Sequence, residues 1–194
     1  KTLNIFKKDK KNFEIYLLTA NKNYNELSKQ VKYFNVKNVI IVNKESYYKF
    51  KKIKFKNKIN IYNNFNSLNK IFKKKIYYTM SSITGIEGLK PTVNIIKYTN
   101  TIAIANKEAI ICGWNIIKKE LKKNKTKFIP VDSEHFSIWS LIKNVSEDID
   151  KIYITASGGP FLNKKAKDLK KIKPEAAIRH PNWKMGKKIS IDSA

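Results

Sequence analysis

The strongest constraint on how this chain can fold is an alternation: short runs of β-branched and apolar residues, each followed by a stretch with helical spacing. Residues 13–18 (Phe-Glu-Ile-Tyr-Leu-Leu) read as a strand, 25–34 as an amphipathic helix, and 39–42 (Val-Ile-Ile-Val) as a fully buried strand. A helix over 45–50, short strand over 59–61, short helix over 68–72 and strand over 76–79 follow. Then come a glycine-containing loop, a helix over 88–98, a strand over 101–104, a helix over 107–122 and a strand over 128–129. Such alternation builds right-handed βαβ units, so the expected fold class is α/β, with a doubly wound, Rossmann-like parallel sheet. After residue 131 the pattern changes to a helix over 135–142 and a strand over 151–154, which sets the expected domains at 1–130 and 131–194.

Composition narrows the class. At 42% hydrophobic, 194 residues can bury a core for one domain and part of another. The formal charge of +26 brings nucleic-acid binding forward as a rival function. However, the lysines run through the whole sequence, and the only arginine is Arg179, a pattern closer to AT-rich codon usage than to a base-reading surface. The lysine runs at 51–52, 73–75 and 122–123 are expected on solvated faces. Cys112, the one cysteine, excludes an internal disulfide framework and reads as a small buried helix residue. No apolar run reaches the roughly eighteen residues of a membrane-spanning helix, so no membrane partner is expected.

Three segments carry chemistry. Val131-Asp132-Ser133-Glu134-His135 follows a strand; if the extended backbone continued, Asp132 and Glu134 at i and i+2 would share a face and converge on a hard cation. Taken alone, the pattern reads more readily as an acidic turn with Asp132 or Ser133 capping a helix. Thr155-Ala156-Ser157-Gly158-Gly159-Pro160-Phe161 places adjacent glycines and a hydroxyl where backbone N–H groups can approach an anion, though Gly-Gly-Pro is equally a plain turn. The stretch from His180 through Trp183, Met185 and Gly186 to Ser193 crowds an imidazole, an aromatic lid candidate and several cations into one loop.

These segments, together with Met80-Ser81-Ser82-Ile83-Thr84-Gly85-Ile86-Glu87-Gly88-Leu89-Lys90-Pro91-Thr92 and Ile104-Ala105-Asn106-Lys107-Glu108, resemble the 1-deoxy-D-xylulose 5-phosphate reductoisomerase family in order and spacing. Residues 1–80 match that family only in general pattern. The resemblance implies an NADPH-binding domain over 1–130 lacking its first strand and glycine-rich turn, since the first glycine is Gly85, and the N-terminal part of a catalytic domain over 131–194. It implies an internal fragment, inactive alone, whose third metal-ligand Glu lies downstream.

The function implied is NADPH- and divalent-metal-dependent conversion of 1-deoxy-D-xylulose 5-phosphate to 2-C-methyl-D-erythritol 4-phosphate. Asp132 and Glu134 would hold Mg2+ or Mn2+, with Co2+ a further option, and Lys107 and Glu134 would be catalytic. Ser133, Ser157, His180, Trp183, Met185 and Ser193 would bind substrate: Ser133 at the reacting oxygens, Ser157, His180 and Ser193 at the phosphate, Trp183 and Met185 as a lid. Lys22, Asn23, Asn106 and Glu108 would bind cofactor, although Asn106 is also a good helix N-cap and Glu108 a favourable first-turn acid. A homodimer in a bacterial cytoplasm is expected, with a plastid-type organelle as the alternative compartment. The rival readings are a basic nucleic-acid-binding protein and a metal-independent NAD(P)-dependent dehydrogenase.

Overall fold

The computed structural model describes every residue except Lys1, Asn144, Ser146, Glu147, Ala156, Trp183, Met185, Ser193 and Ala194, and omits the side chains of Lys188, Ile189 and Asp192. The chain divides into two compact units, Lys1–Asn144 and Val145–Ala194.

The first unit contains α1 (Thr2–Lys8), β1 (Leu17–Ala20), α2 (Tyr24–Phe34), β2 (Asn38–Ile41), α3 (Lys44–Lys51), β3 (Asn60–Tyr62) and α4 (Leu68–Ile71). It continues through β4 (Ile76–Ser81), α5 (Leu89–Ile96), β5 (Thr99–Ile104), α6 (Lys107–Lys123), β6 (Lys127–Pro130) and α7 (Ser133–Ile142). The strands form two parallel three-stranded sheets, β1-β2-β3 and β4-β5-β6. This is the expected α/β class.

β2 is buried at all four positions, Val39, Ile40 and Ile41 sending alternate side chains into different cores, whereas Val42, expected to close a fully buried strand, lies past its end and is 46% exposed. Val39 and Ile41 pack with Leu27, Val31 and Phe34 of α2 and with Phe50 of α3. Ile40 joins a second cluster with Ile102 and Ile104 of β5, Ile95 and Ile96 of α5 and Ile117 of α6, so one core serves both sheets. α6 buries Ala109, Gly113, Ile117 and Leu121, a stripe at four-residue spacing whose last two side chains join this cluster. Cys112 lies off that stripe and is exposed, which corrects its expected burial.

Two expected strands differ. Residues 13–16 stay outside β1 because their rings are engaged elsewhere: Phe13 stacks on Phe6 at 4.4 Å and Tyr16 on Phe72 at 5.4 Å. The Tyr16 hydroxyl also donates to the Ile71 carbonyl at 3.1 Å. Residues 151–154 form no strand, leaving Ile152, Tyr153 and Ile154 53%, 84% and 71% exposed. A strand needs neighbours to complete its ladder, and the described residues of the second unit include none. That unit holds the short turn Gly159–Phe161 and helices α8 (Ala166–Leu169), α9 (Pro174–Ala177) and α10 (Lys187–Asp192).

Some lysines do more than face solvent. Lys75 donates to the Asn124 carbonyl and, at 3.4 Å, to Thr126 Oγ1, closing the end of α6, so the 73–75 run is not wholly a solvated face. Lys10 donates to the Tyr33 carbonyl at 2.7 Å with its ammonium 4.7 Å from that ring's centre.

Candidate active site

Parallel pairing brings three motif loops to one end of a sheet. Ser81 of β4 is level with Ile104 of β5, and Ile104 with Pro130 of β6. The ladder runs one step further, through Ala105 N to Ser81 O at 2.9 Å and Val131 N to Ile104 O at 3.0 Å. The chain therefore leaves adjacent strands as Ser82-Ile83-Thr84-Gly85, Asn106-Lys107-Glu108 and Asp132-Ser133-Glu134, beyond the carboxyl ends where ligands of open α/β sheets bind. α6 and α7 begin at this edge, so two positive helix ends face the same region.

Asp132 caps α7. Its Oδ1 accepts from the His135 N–H at 3.1 Å and lies 2.6 Å from His135 Nδ1. Its Oδ2 is buried and has no hydrogen-bond partner among the described residues. Burial pushes the carboxyl up, but hydrogen bonds from the His135 ring and backbone, with the ring's charge, hold it below its ordinary value. Glu134 is exposed in the first turn of α7, its Oε2 accepting from Ser133 Oγ at 3.0 Å. The expected route to convergence, an i and i+2 pair on a strand, is thus not the one the chain takes, because β6 ends at Pro130 and helix begins at Ser133. Among the described residues no group of three or more His, Cys, Asp or Glu is placed to hold a metal ion. The orphaned Oδ2, with Glu134 two residues along the chain, still suits a hard cation that takes further donors from elsewhere.

Lys107 and Glu108 are half-buried in the first turn of α6. Asn106 is 3% exposed and points inward. At the end of β1, Lys22 and Asn23 are exposed. Asn23 caps α2 by accepting from the Glu26 N–H at 3.2 Å, and the Lys22 carbonyl accepts from Ser46 Oγ at 3.0 Å.

The second unit brings Ser157 and His180 together, with Oγ and Nε2 3.0 Å apart. His180 Nδ1 accepts from the Asn182 N–H at 3.1 Å, so in the neutral ring Nε2 carries the proton and donates to Ser157. That leaves the Ser157 hydroxyl hydrogen for another acceptor, such as an anion's oxygen. The backbone here needs glycine, since Gly158 and Gly159 have φ of 78° and 58°. A cavity of about 420 Å³ lined by Ser157, Gly159, Lys164 and Asn182 opens beside them, within the size range of small-ligand sites. Trp183, Met185 and Ser193 lie outside the described residues.

Sequence reading left His135, Ser81 and Thr92 without roles. His135 had a usable signal, lying three residues after a potential cap; Thr92 had a weaker one, a hydroxyl on an apolar helix face.

The family model for 1-deoxy-D-xylulose 5-phosphate reductoisomerase matches residues 1–113, and the model for that enzyme's C-terminal domain matches 128–194. The match therefore includes the first eighty residues, where the resemblance was one of general pattern only. The reductoisomerase of Pelagibacter ubique is 60% identical over 195 residues, covering 99% of this chain and 50% of its own length. The reductoisomerase from Zymomonas mobilis, solved with NADPH, superposes with a TM-score of 0.84 at 30% identity, covering 100% of this chain and 50% of that one. A second structure, solved with NADPH, fosmidomycin and magnesium, gives 0.76 at 27% identity, covering 100% of this chain and 50% of its own. The chain spans about half the length of these relatives. Matched in order by both models across its two units, it belongs to the 1-deoxy-D-xylulose 5-phosphate reductoisomerase family.

Proposed function

We propose that this chain is part of a protein that converts 1-deoxy-D-xylulose 5-phosphate to 2-C-methyl-D-erythritol 4-phosphate with NADPH and Mg2+ or Mn2+. The observation that carries this reading is the shared sheet end, where Lys107 and Asp132 leave neighbouring strands and Asp132 keeps one buried oxygen without a partner. Relatives solved with NADPH and with magnesium support both groups. The domains proposed are nucleotide-binding over 1–130 and the start of the catalytic domain over 131–194.

Asp132 Oδ2 and Glu134 would hold the cation, which when bound supplies Lewis acidity toward the substrate's ketone and neighbouring hydroxyl. Lys107 acts as a compact charge that stabilises negative charge developing on the reacting oxygen, and Ser133 donates to it once Glu134, turned to the cation, releases the Ser133 hydroxyl. Ser157 donates to the substrate phosphate while the His180 imidazole holds its orientation from behind. Ser193 joins that grip, and Trp183 with Met185 closes over substrate and excludes water, roles that rest on the resemblance alone. Lys22 supplies charge for the cofactor's extra phosphate, with Asn23 and Glu108 beside the nucleotide. A homodimer is the assembly proposed and a bacterial cytoplasm the compartment; the matched relatives come from bacteria. Family membership favours this reading over nucleic-acid binding and over a metal-independent dehydrogenase.

The test is NADPH oxidation by the protein expressed from its complete reading frame, with 1-deoxy-D-xylulose 5-phosphate, with and without Mg2+ or Mn2+. Metal-dependent oxidation is expected. Oxidation indifferent to metal would turn the reading to a simple dehydrogenase, and none under either condition would overturn it.

A further inference from the structure

A buried polar network lies behind the sheet end, and of its members only Asn106 was expected to have a role. Ser81, Thr92 and Asn106 are 7%, 1% and 3% exposed and belong to β4, α5 and the start of α6. Thr92 Oγ1 donates to the Gly88 carbonyl at 2.6 Å. A hydroxyl has one hydrogen, so in its 2.6 Å contact with Ser81 Oγ, Thr92 accepts and Ser81 donates. Asn106 Nδ2 donates to the carbonyls of Ile83 and Gly85, and its Oδ1 accepts from the Ala109 N–H at 3.0 Å. Both amide hydrogens and the acceptor are thus engaged within the protein. The fit leaves no room, since a Cβ on Gly88 would lie 2.4 Å from both Asn106 Nδ2 and the Ile83 carbonyl oxygen.

We propose that Asn106, with Thr92 as second anchor, is a positioning residue: it locks loop 82–88 to the start of α6 so that they form one preorganised wall of the NADPH crevice. This rests on the function proposed above and revises the role of Asn106, expected from sequence to bind cofactor. Turning its side chain outward would uncap α6, take the Asn106 donor from the Ile83 carbonyl and leave the Gly85 carbonyl with the Gly88 N–H alone. Its influence on the nucleotide therefore passes through the backbone it holds. A loop ordered during folding need not be ordered when NADPH binds, so losing the clamp appears as lost affinity.

The experiment uses the complete protein and three variants. Asn106→Asp keeps the cap's acceptor but sets an oxygen against two carbonyl oxygens; Thr92→Val keeps shape without the hydroxyl; Thr92→Ser restores the hydroxyl. NADPH affinity is read by fluorescence titration well below each variant's melting temperature, Mn2+ affinity by electron paramagnetic resonance, and loop 82–88 by amide hydrogen exchange. Expected are an NADPH Kd raised about tenfold or more in Asn106→Asp and severalfold in Thr92→Val, with Thr92→Ser near the parent. Exchange in 82–88 should quicken alongside, with Mn2+ affinity unchanged. Faster exchange with unaltered NADPH Kd would overturn the proposal and leave a purely architectural network. If the parent itself fails to bind NADPH, the proposed function falls and takes the cofactor role with it, while faster exchange in Asn106→Asp still registers as a loop clamp. Should Asn106→Asp not fold, the Thr92 pair decides.

Discussion

The two units handle their apolar residues in opposite ways. Every buried hydrophobic side chain among the described residues lies between Leu27 and Leu121, in the first unit, whereas Ile152, Tyr153, Ile154, Leu162 and Leu169 of the second stand exposed. Both regions have strand-like runs, yet among the described residues only those of the first are covered. Hydrophobic pattern is a demand for neighbours, and it reads correctly where those neighbours are close in sequence.

That contrast can be broken in several places. The largest effect is expected at the sheet end: Asp132→Asn in the complete protein should cut metal-dependent turnover by more than about a hundredfold, since even outer-shell partners of metal ligands are worth 10–100-fold. NADPH affinity should hold, because asparagine still caps α7; parallel loss of both would mean that residue 132 serves the fold. Next comes the core. Ile102→Ala, at a fully buried position, should cost about 3 kcal/mol in urea unfolding, and Ile154→Ala no more than about 0.5 kcal/mol. A large loss at Ile154 would show that the second unit is covered in solution. A smaller effect follows acid. With its folded value held below the ordinary 3.9 or so, ionised Asp132 stabilises the fold at and above that pH, and the contribution fades as pH falls through the lower folded value. Parent and Asp132→Asn stabilities should therefore converge in that acidic window; curves that stay parallel would refute the cap's contribution. Smallest of all, Lys49→Ala, which removes the exposed Glu45–Lys49 pair, should leave the melting temperature unchanged within scatter.

Much of the first unit was legible because its rules are local. The helix over 107–122 became Lys107–Lys123, with Asn106 as its cap, and the buried strand over 39–42 became Asn38–Ile41. What escaped were choices made across distance. Nothing near Tyr16 says that its ring will stack on Phe72 and shorten the first strand. Nothing in Asp-Ser-Glu distinguishes an extended ligand pair from a helix cap; that was settled by where β6 ends. The inward turn of Asn106 depends on carbonyls more than twenty residues earlier. Motif residues were legible as a set, but their separate duties depended on packing that no local window contains.

The bare Ile152-Tyr153-Ile154 run also bears on handling. A β-prone, exposed segment is a template for self-association between chains. Lys151 beside it and a formal charge of +26 over the whole chain act as colloidal gatekeepers, repelling like molecules before such segments meet. Their protection is electrostatic, so it weakens as the Debye length shrinks. Concentrated solutions of this chain should stay clear at low ionic strength and turn turbid as salt is raised, the reverse of proteins whose aggregation is driven by attraction between opposite charges.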